Sequence, residues 1–258
     1  MSALAGVLGF PVGHSRSPEM MNAAFGQLGL DWRYLKLPVS PERFDQTVTA
    51  LSGSGYRGAN VTIPHKLAAH DLADELSEAA RAIGAVNTLT FTDNGRILGD
   101  NTDAGGLIDA LGEPLPGTAL VLGAGGAARA AAWALAKAGV DVTVWSRTPE
   151  RAAELAADLE VGHAERPGPS ELLVNATSVG LRAGDSLDAL PLVDARVVAD
   201  LVYGAAPTPV VRWAEERGAR VIDGLEVLVR QGARSLALWT GMEPPVETMR
   251  QAAFRSRV

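Results

Sequence analysis

The stretch ALVLGAGGAARA, residues 119–130, sets an apolar run against a glycine cluster and continues into an alanine-rich segment. Residues 118–122 read as a buried strand and residues 125–138 as a helix, so Gly123-Ala124-Gly125-Gly126-Ala127-Ala128 forms the turn between them. Glycine at 123 and 125 permits a tight turn and close backbone approach to a pyrophosphate, Ala128 takes the place of the third small residue, and the helix N-terminus offers amide donors and a positive dipole. Strand, glycine turn and helix together point to a dinucleotide site; a purely structural turn is the alternative.

Outward from it, residues 141–146 read as a strand and 149–159 as a helix, completing a mononucleotide-binding βαβα order. Where an NAD-binding unit carries an acidic residue for the ribose hydroxyls, this chain has Ser146-Arg147-Thr148, with Arg151 one turn on. A carboxylate would repel a 2′-phosphate, whereas a guanidinium offers it a fork of donors. The expected cofactor is therefore NADP. A solvated arginine at a strand end is the plainer reading of Arg147.

Short apolar runs alternate with helical patterns through all 258 residues, which favours an α/β chain with largely parallel sheets. Strands are expected at 4–10, 32–38 and 59–63, helices at 18–28 and 41–52, and a hairpin-like pair at 85–92 and 96–99 around Asp93-Asn94-Gly95. A helix opened by Asn101-Thr102-Asp103 follows through about residue 111, and the proline- and glycine-rich residues 112–117 read as a connection between domains. Beyond the first βαβα half, strands are expected at 172–175 and 197–202 and helices at 209–217, 225–239 and 246–254. The expected architecture has two lobes: an open α/β substrate lobe over 1–103, a Rossmann-type lobe over 104–231, and C-terminal helices from 232–258 returning to the first.

A net charge of −7, with scattered arginines, argues against a nucleic-acid partner. The absence of cysteine excludes disulfides, thiolate metal sites and a cysteine nucleophile. The four histidines, His14, His65, His70 and His163, show no metal-ligand spacing. The first residues lack a basic leader pattern, and glycines and Arg129 interrupt the most apolar window, so no signal peptide or membrane span is expected and the chain reads as cytoplasmic.

GANVTIPHK, residues 58–66, is an apolar strand interrupted by Asn60 and Thr62 and stopped by Pro64-His65-Lys66. Alternation places Val61 and Ile63 on one face and Asn60 and Thr62 on the other, so the polar pair is expected to wall a ligand crevice at the strand's C-terminal end, with His65 at its rim. Only Lys36, Lys66 and Lys137 among the 23 basic residues are lysine, which suggests that position 66 needs a compact ammonium. In HSRSP, residues 14–18, Pro18 suits a first helical turn and Ser17 its N-cap, while two hydroxyls at a helix start also suit a small carboxylate.

HSRSP, GANVTIPHK, IGAVNTL, GDNTDAGG, GAGGAAR, SRTPER, NATSVG, DLVYGAAPTP and DGLEVLVRQG, in this order, resemble the shikimate dehydrogenases across nearly the whole chain. The resemblance implies NADPH-dependent reduction of 3-dehydroshikimate to shikimate, with Lys66 and Asp103 as the catalytic pair. It implies that Ser15, Ser17 and Tyr203 hold the substrate carboxylate, and that Thr62, Lys66, Asn87, Asp103 and Gln231 surround the ring hydroxyls. It further implies cofactor contacts at Glu78, Gly123, Ala124, Gly125, Gly126, Ala127, Ser146, Arg147, Thr148, Arg151, Leu201 and Gly224. Ser146 stands where the family usually has asparagine, and Glu226 and Val227 where it often has glycine and methionine. A quinate or dual quinate/shikimate dehydrogenase using NAD(P) is the nearest alternative, and a non-enzymatic NADP-sensing module a more distant one. A monomer or homodimer is expected, with a small-molecule substrate. Singly, Asp103 also reads as a helix N-cap, Asn87 and Asn175 as turn formers, Gln231 as an exposed helix residue and Tyr203 as core.

Overall fold

The computed structural model describes residues 2–182, 184–204 and 206–255. Met1, Ala183, Ala205 and residues 256–258, which fall within the expected spans 1–103, 104–231 and 232–258, lie outside the described residues. The chain divides into two units: one runs to Gly106 and resumes at Leu228, and the other takes Leu107–Val227.

The first unit contains β1 (Ala3–Gly9), α1 (Ser17–Gln27), β2 (Trp32–Pro38), α2 (Phe44–Ser52), β3 (Tyr56–Val61), α3 (Lys66–Leu72), β4 (Glu75–Leu76), α4 (Glu78–Ile83), β5 (Thr88–Phe91), β6 (Ile97–Asp100) and the start of α5 (Thr102–Leu111). Its six-stranded sheet has the order β2-β1-β3-β5-β6-β4. β1 runs parallel to β2 and β3, while β5 runs antiparallel to β3 and β6. Alternating side chains divide the core between the two faces. Ala5, Val7 and Tyr34 pack with Met20, Met21 and Phe25 of α1, and Leu8, Ala59, Val61 and Leu89 pack with Phe44 and Val48 of α2. At about 1.5–3 kcal/mol for each large side chain removed from water, these two faces supply most of what holds the unit together.

In the second unit, β7 (Thr118–Leu122), α6 (Gly126–Lys137), β8 (Asp141–Trp145), α7 (Pro149–Leu159), β9 (Gly162–His163), β10 (Leu172–Asn175), β11 (Val197–Asp200), α8 (Pro209–Glu216) and β12 (Arg220–Ile222) lead into α9 (Gly224–Thr240). The sheet order is β12-β11-β10-β7-β8-β9, and every pairing is parallel. Its first strand lies centrally and the chain winds outward in both directions, the doubly wound Rossmann order. Ala119 and Val121 face a core with α6 and α7, and Leu120 and Leu122 face one with Val210 and Ala214 of α8. From Leu228 onward α9 belongs to the first unit, as does α10 (Val246–Phe254), so the C-terminal helices return there as expected.

The expected α/β class and Rossmann order hold, with local corrections. The strand expected at 59–63 runs Tyr56–Val61. Helix α1 begins at Ser17, so Arg16 and not Ser17 occupies the cap position, and no side chain caps it. Helices α3 and α4, of seven and six residues, were not expected because neither is long enough to display a helical period. Ser77 caps α4, its hydroxyl accepting from Ala80 N at 3.1 Å. No helix among the described residues is long and apolar enough to cross a membrane.

Candidate active site

The strand directions of the first sheet bring four chain segments to one edge. β1, β3 and β6 end there, and β5, running the other way, begins there. Neighbouring backbones stitch the segments together: Thr62 N donates to Leu8 O at 2.9 Å, Val61 N to Asn87 O at 2.7 Å, and Asn87 N to Asp100 O at 3.1 Å. The segment after β1 carries Ser15 and Ser17, that after β3 carries Thr62 and Lys66, the residue before β5 is Asn87, and α5, following β6, carries Asp103.

Lys66 Nζ donates to Asp103 Oδ2 at 2.5 Å, and the two side chains are only 12% and 20% exposed. Asp103 therefore spends its carboxylate on this ion pair. The cap of α5 is made by Asn101, whose Oδ1 accepts from Ala104 N at 3.2 Å, and Asp103 has no such role. Gln231, on α9, is buried instead of exposed. Its approach depends on Gly106: a Cβ there would lie 2.7 Å from Gln231 Cβ and N, so a side chain at 106 would push α9 away from α5. In the settled position Asn87 Nδ2 donates to Gln231 Oε1 at 3.2 Å.

Ser15 and Ser17 are each 3% exposed. The Ser15 hydroxyl accepts from Ser17 N at 3.3 Å, while the Ser17 hydroxyl has no hydrogen-bond partner among the described residues. A buried hydroxyl without a partner is costly, and a ligand acceptor at this spot removes the cost. Lys36 Nζ donates to Gly13 O at 2.7 Å and tethers the loop before these serines. Burial first, and then the Lys36 ammonium, lower the pKa of His14 in the same loop.

Three expectations about GANVTIPHK are corrected. Asn60 does not wall a crevice: it is buried, with its side chain bonded to Tyr34, Thr88 and Ser235. His65 is not a rim residue: its Nε2 lies 2.7 Å from Val39 O, and its ring stacks on Phe44 with centroids 4.5 Å apart. Ile63 does not share the buried face of Val61, because β3 has ended, and it is 54% exposed. Thr62 is half-buried at the strand end.

In the second unit, Gly123 follows β7 with φ of 121°, and a Cβ there would meet Ala176 O at 2.8 Å. Glycine is therefore required where β7 and β10 part, the switch point at which doubly wound sheets bind nucleotides. Ala124 is half-buried, Gly125 is exposed at the cap of α6 with no side-chain cap bond, and Gly126 and Ala127 open the helix. The first amides of α6 are thus left for an anion, and the cradle fits a pyrophosphate. Ser146, Arg147 and Thr148 follow β8; Arg147, Thr148 and Arg151 are exposed, and neither arginine forms an ion pair among the described residues. Leu201 and Tyr203 follow β11, and Gly224 opens α9. Glu78, the first residue of α4, is exposed and belongs to the first unit, unlike the other expected cofactor positions. No three His, Cys, Asp or Glu side chains among the described residues are grouped to hold a metal ion.

Asp200, to which sequence reading gave no role, is fully buried at the end of β11. Asn175 Nδ2 and Val202 N donate to its Oδ1 at 2.8 and 3.0 Å, and the Thr208 hydroxyl donates to Oδ2. Burial outweighs these donors, and with a smaller push from Asp223 it raises the Asp200 pKa from 3.8 to about 6. Because the folded value is the higher one, this group's contribution to stability is fully present below pH 3.8 and is lost as pH rises through about 6. Melting curves of D200N and wild type are expected to separate: between pH 3 and 7, most steeply from 3.8 to about 6, wild type loses stability relative to the variant, up to about 3 kcal/mol. Parallel profiles would refute the assignment.

The substrate-binding domain model of shikimate dehydrogenase matches residues 7–89, and the shikimate 5′-dehydrogenase C-terminal domain model matches residues 224–254. A shikimate dehydrogenase (NADP(+)) of Anaeromyxobacter dehalogenans is 46% identical to this chain, over 97% of it and 95% of the relative. The chain belongs to the shikimate dehydrogenase family. Among solved shikimate dehydrogenases, the Thermus thermophilus enzyme in complex with NADP(H) and shikimate is 41% identical, with a TM-score of 0.88 covering 98% of this chain and 99% of that one. Quinate dehydrogenase from Corynebacterium glutamicum in complex with NAD shares the fold at 29% identity, with a TM-score of 0.86 over 97% and 98% of the two chains. Solved proteins of this fold thus include one in complex with NADP(H) and shikimate and one in complex with NAD.

Proposed function

We propose that this chain is a cytoplasmic, NADP-dependent shikimate dehydrogenase, monomeric or homodimeric, that reversibly reduces 3-dehydroshikimate to shikimate. The reading rests on family membership together with the Lys66–Asp103 contact, set at a sheet edge beside Asn87 and Gln231. The substrate residues are Ser15 and Ser17 of the first unit and Tyr203 of the second for its carboxylate, and Thr62, Lys66, Asn87, Asp103 and Gln231 of the first for the ring oxygens. The second unit binds NADP(H) through residues 123–127, Ser146, Arg147, Thr148, Arg151, Leu201 and Gly224, with Glu78 added from the first.

Bound NADPH supplies the hydride to the ketone carbon. Lys66 Nζ donates a hydrogen bond to the ketone oxygen, and as the C=O electron pair moves onto that oxygen the Lys66–Asp103 pair delivers the proton that makes it a hydroxyl. Asp103 holds the ammonium in line, so the donor is in place before charge develops. In the oxidative direction the same pair accepts the proton.

Arg147, exposed after β8 and without an ion pair among the described residues, selects the nucleotide by meeting a 2′-phosphate that NAD lacks. Arg147→Ala is expected to raise the KM for NADP at least about tenfold, equivalent to about 1.4 kcal/mol, with NAD use nearly unchanged. Equal losses with both nucleotides would remove this role. Catalysis itself is tested by mixing shikimate with NADP and following absorbance: steady appearance of the reduced nucleotide is expected, whereas binding without turnover would make the chain an NADP-sensing module.

A further inference from the structure

We infer that Thr88 is a positioning residue for the substrate site, bracing the Asn87 amide, and through it Gln231, within a buried hydrogen-bond network that includes Tyr34, Asn60 and Ser235. This rests on the reading of Asn87 and Gln231 as ligands of the ring oxygens.

The amide orientations follow from groups that have only one role. Thr102 N can only donate, and it lies 2.7 Å from Asn87 Oδ1; Leu228 O can only accept, and it lies 2.8 Å from Gln231 Nε2. Asn87 Nδ2 must then donate onward, at 3.0 Å to Thr102 Oγ1 and at 3.2 Å to Gln231 Oε1. Behind this pair, Tyr34 Oη donates to Asn60 Oδ1 at 2.8 Å, which turns Asn60 Nδ2 toward Thr88 Oγ1 at 3.1 Å and Ser235 Oγ at 2.8 Å. Thr88 Oγ1 donates to Asn87 Oδ1 at 3.1 Å and lies 3.0 Å from Thr102 Oγ1 and 2.9 Å from Ser235 Oγ. One connected set of hydrogen bonds therefore links Tyr34 through Asn60, Thr88 and Asn87 to Gln231.

Thr88 is fully buried, has four polar partners, and occupies the step that links the interior chain directly to the Asn87 amide. The consequence for chemistry is a fixed polarity. One hydrogen of Gln231 Nε2 is taken by Leu228 O, so the amide keeps its second donor for a substrate oxygen. Without the Thr88 hydroxyl, Asn60 and Asn87 each lose a partner in a buried network, where partial satisfaction favours rearrangement.

The test is steady-state kinetics of T88V, T88S, Y34F and Q231A. T88V, which exchanges the hydroxyl for a methyl of similar shape, is expected to raise the KM for shikimate about tenfold while leaving the KM for NADP within about twofold. T88S, which keeps the hydroxyl, is expected to recover most of that loss. Y34F, which removes the head of the chain but keeps the ring, is expected to show the same pattern at about threefold. A T88V or Y34F protein with lower thermal stability and wild-type shikimate KM would overturn the inference, as would T88S no better than T88V. If T88V does not fold, Y34F decides. Q231A separates the two claims: an unchanged shikimate KM there removes the ligand reading and the inference with it, whereas a raised KM in Q231A alone removes only the inference.

Discussion

Lys66→Ala is expected to lower kcat roughly 10²- to 10⁴-fold, the range associated with losing a positioned acid or base, with a much smaller change in the KM for shikimate. The side chain is largely buried against Asp103, so its removal also leaves a carboxylate without its cation. A thermal melt run alongside separates that stability cost from the kinetic one. Lys66→Arg is not expected to restore turnover, because a planar guanidinium differs in shape from an ammonium held 2.5 Å from one carboxylate oxygen and does not give up its proton. A folded Lys66→Ala variant with near-normal kcat, or one that had lost only substrate affinity, would leave Lys66 as a binding residue.

The second large effect is expected at the carboxylate seat. Replacing Ser15 and Ser17 together with alanine removes two buried hydroxyls, one of which has no partner among the described residues. Hydrogen bonds to a charged group contribute about 1.5–3 kcal/mol each, so shikimate KM is expected to rise by on the order of 100-fold or more. The KM for NADP should stay close to wild type, since the serines and the glycine turn belong to different units. The Ser15 hydroxyl accepts from Ser17 N at the start of α1, so loss of support at that helix end is the rival account, and a variant that lost only thermal stability with shikimate KM unchanged would favour it.

The second unit was largely legible in the sequence. Four consecutive apolar residues before Gly123 specify a strand buried on both faces, and the glycine required by its φ and by Ala176 is visible as a residue type. The first unit was less so. Alternation along β3 correctly separates Asn60 from Val61, but not what covers the Asn60 face: the covering residue is Ser235, 175 positions away on α9. Separations of 26 and 147 positions from their partners hide Tyr34 and Thr88, which read as ordinary strand residues until their hydroxyls are seen to share one buried network. Asp200 could have been noticed as a carboxylate closing an apolar strand, but its burial depends on Asn175 and Thr208, which only folding brings to it.

The expected site residues differ in how much the structure says of them. Lys66, Asp103, Asn87 and Gln231 are linked by hydrogen bonds or by one sheet edge within the first unit. Tyr203 and most of the expected nucleotide-contact positions of the second unit follow β7, β8 and β11, at the C-terminal ends of parallel strands where open α/β sheets take their ligands, while Arg151 lies on α7 and Gly224 opens α9 after β12.

Initial rates with shikimate and quinate, each paired with NADP and with NAD, test the central claim most directly. The account predicts that shikimate with NADP gives the highest kcat/KM of the four pairs, that NAD is disfavoured because Arg147 has no phosphate to meet, and that quinate is the poorer substrate. Comparable or higher kcat/KM for quinate with NAD, or no turnover with any pair, would contradict it.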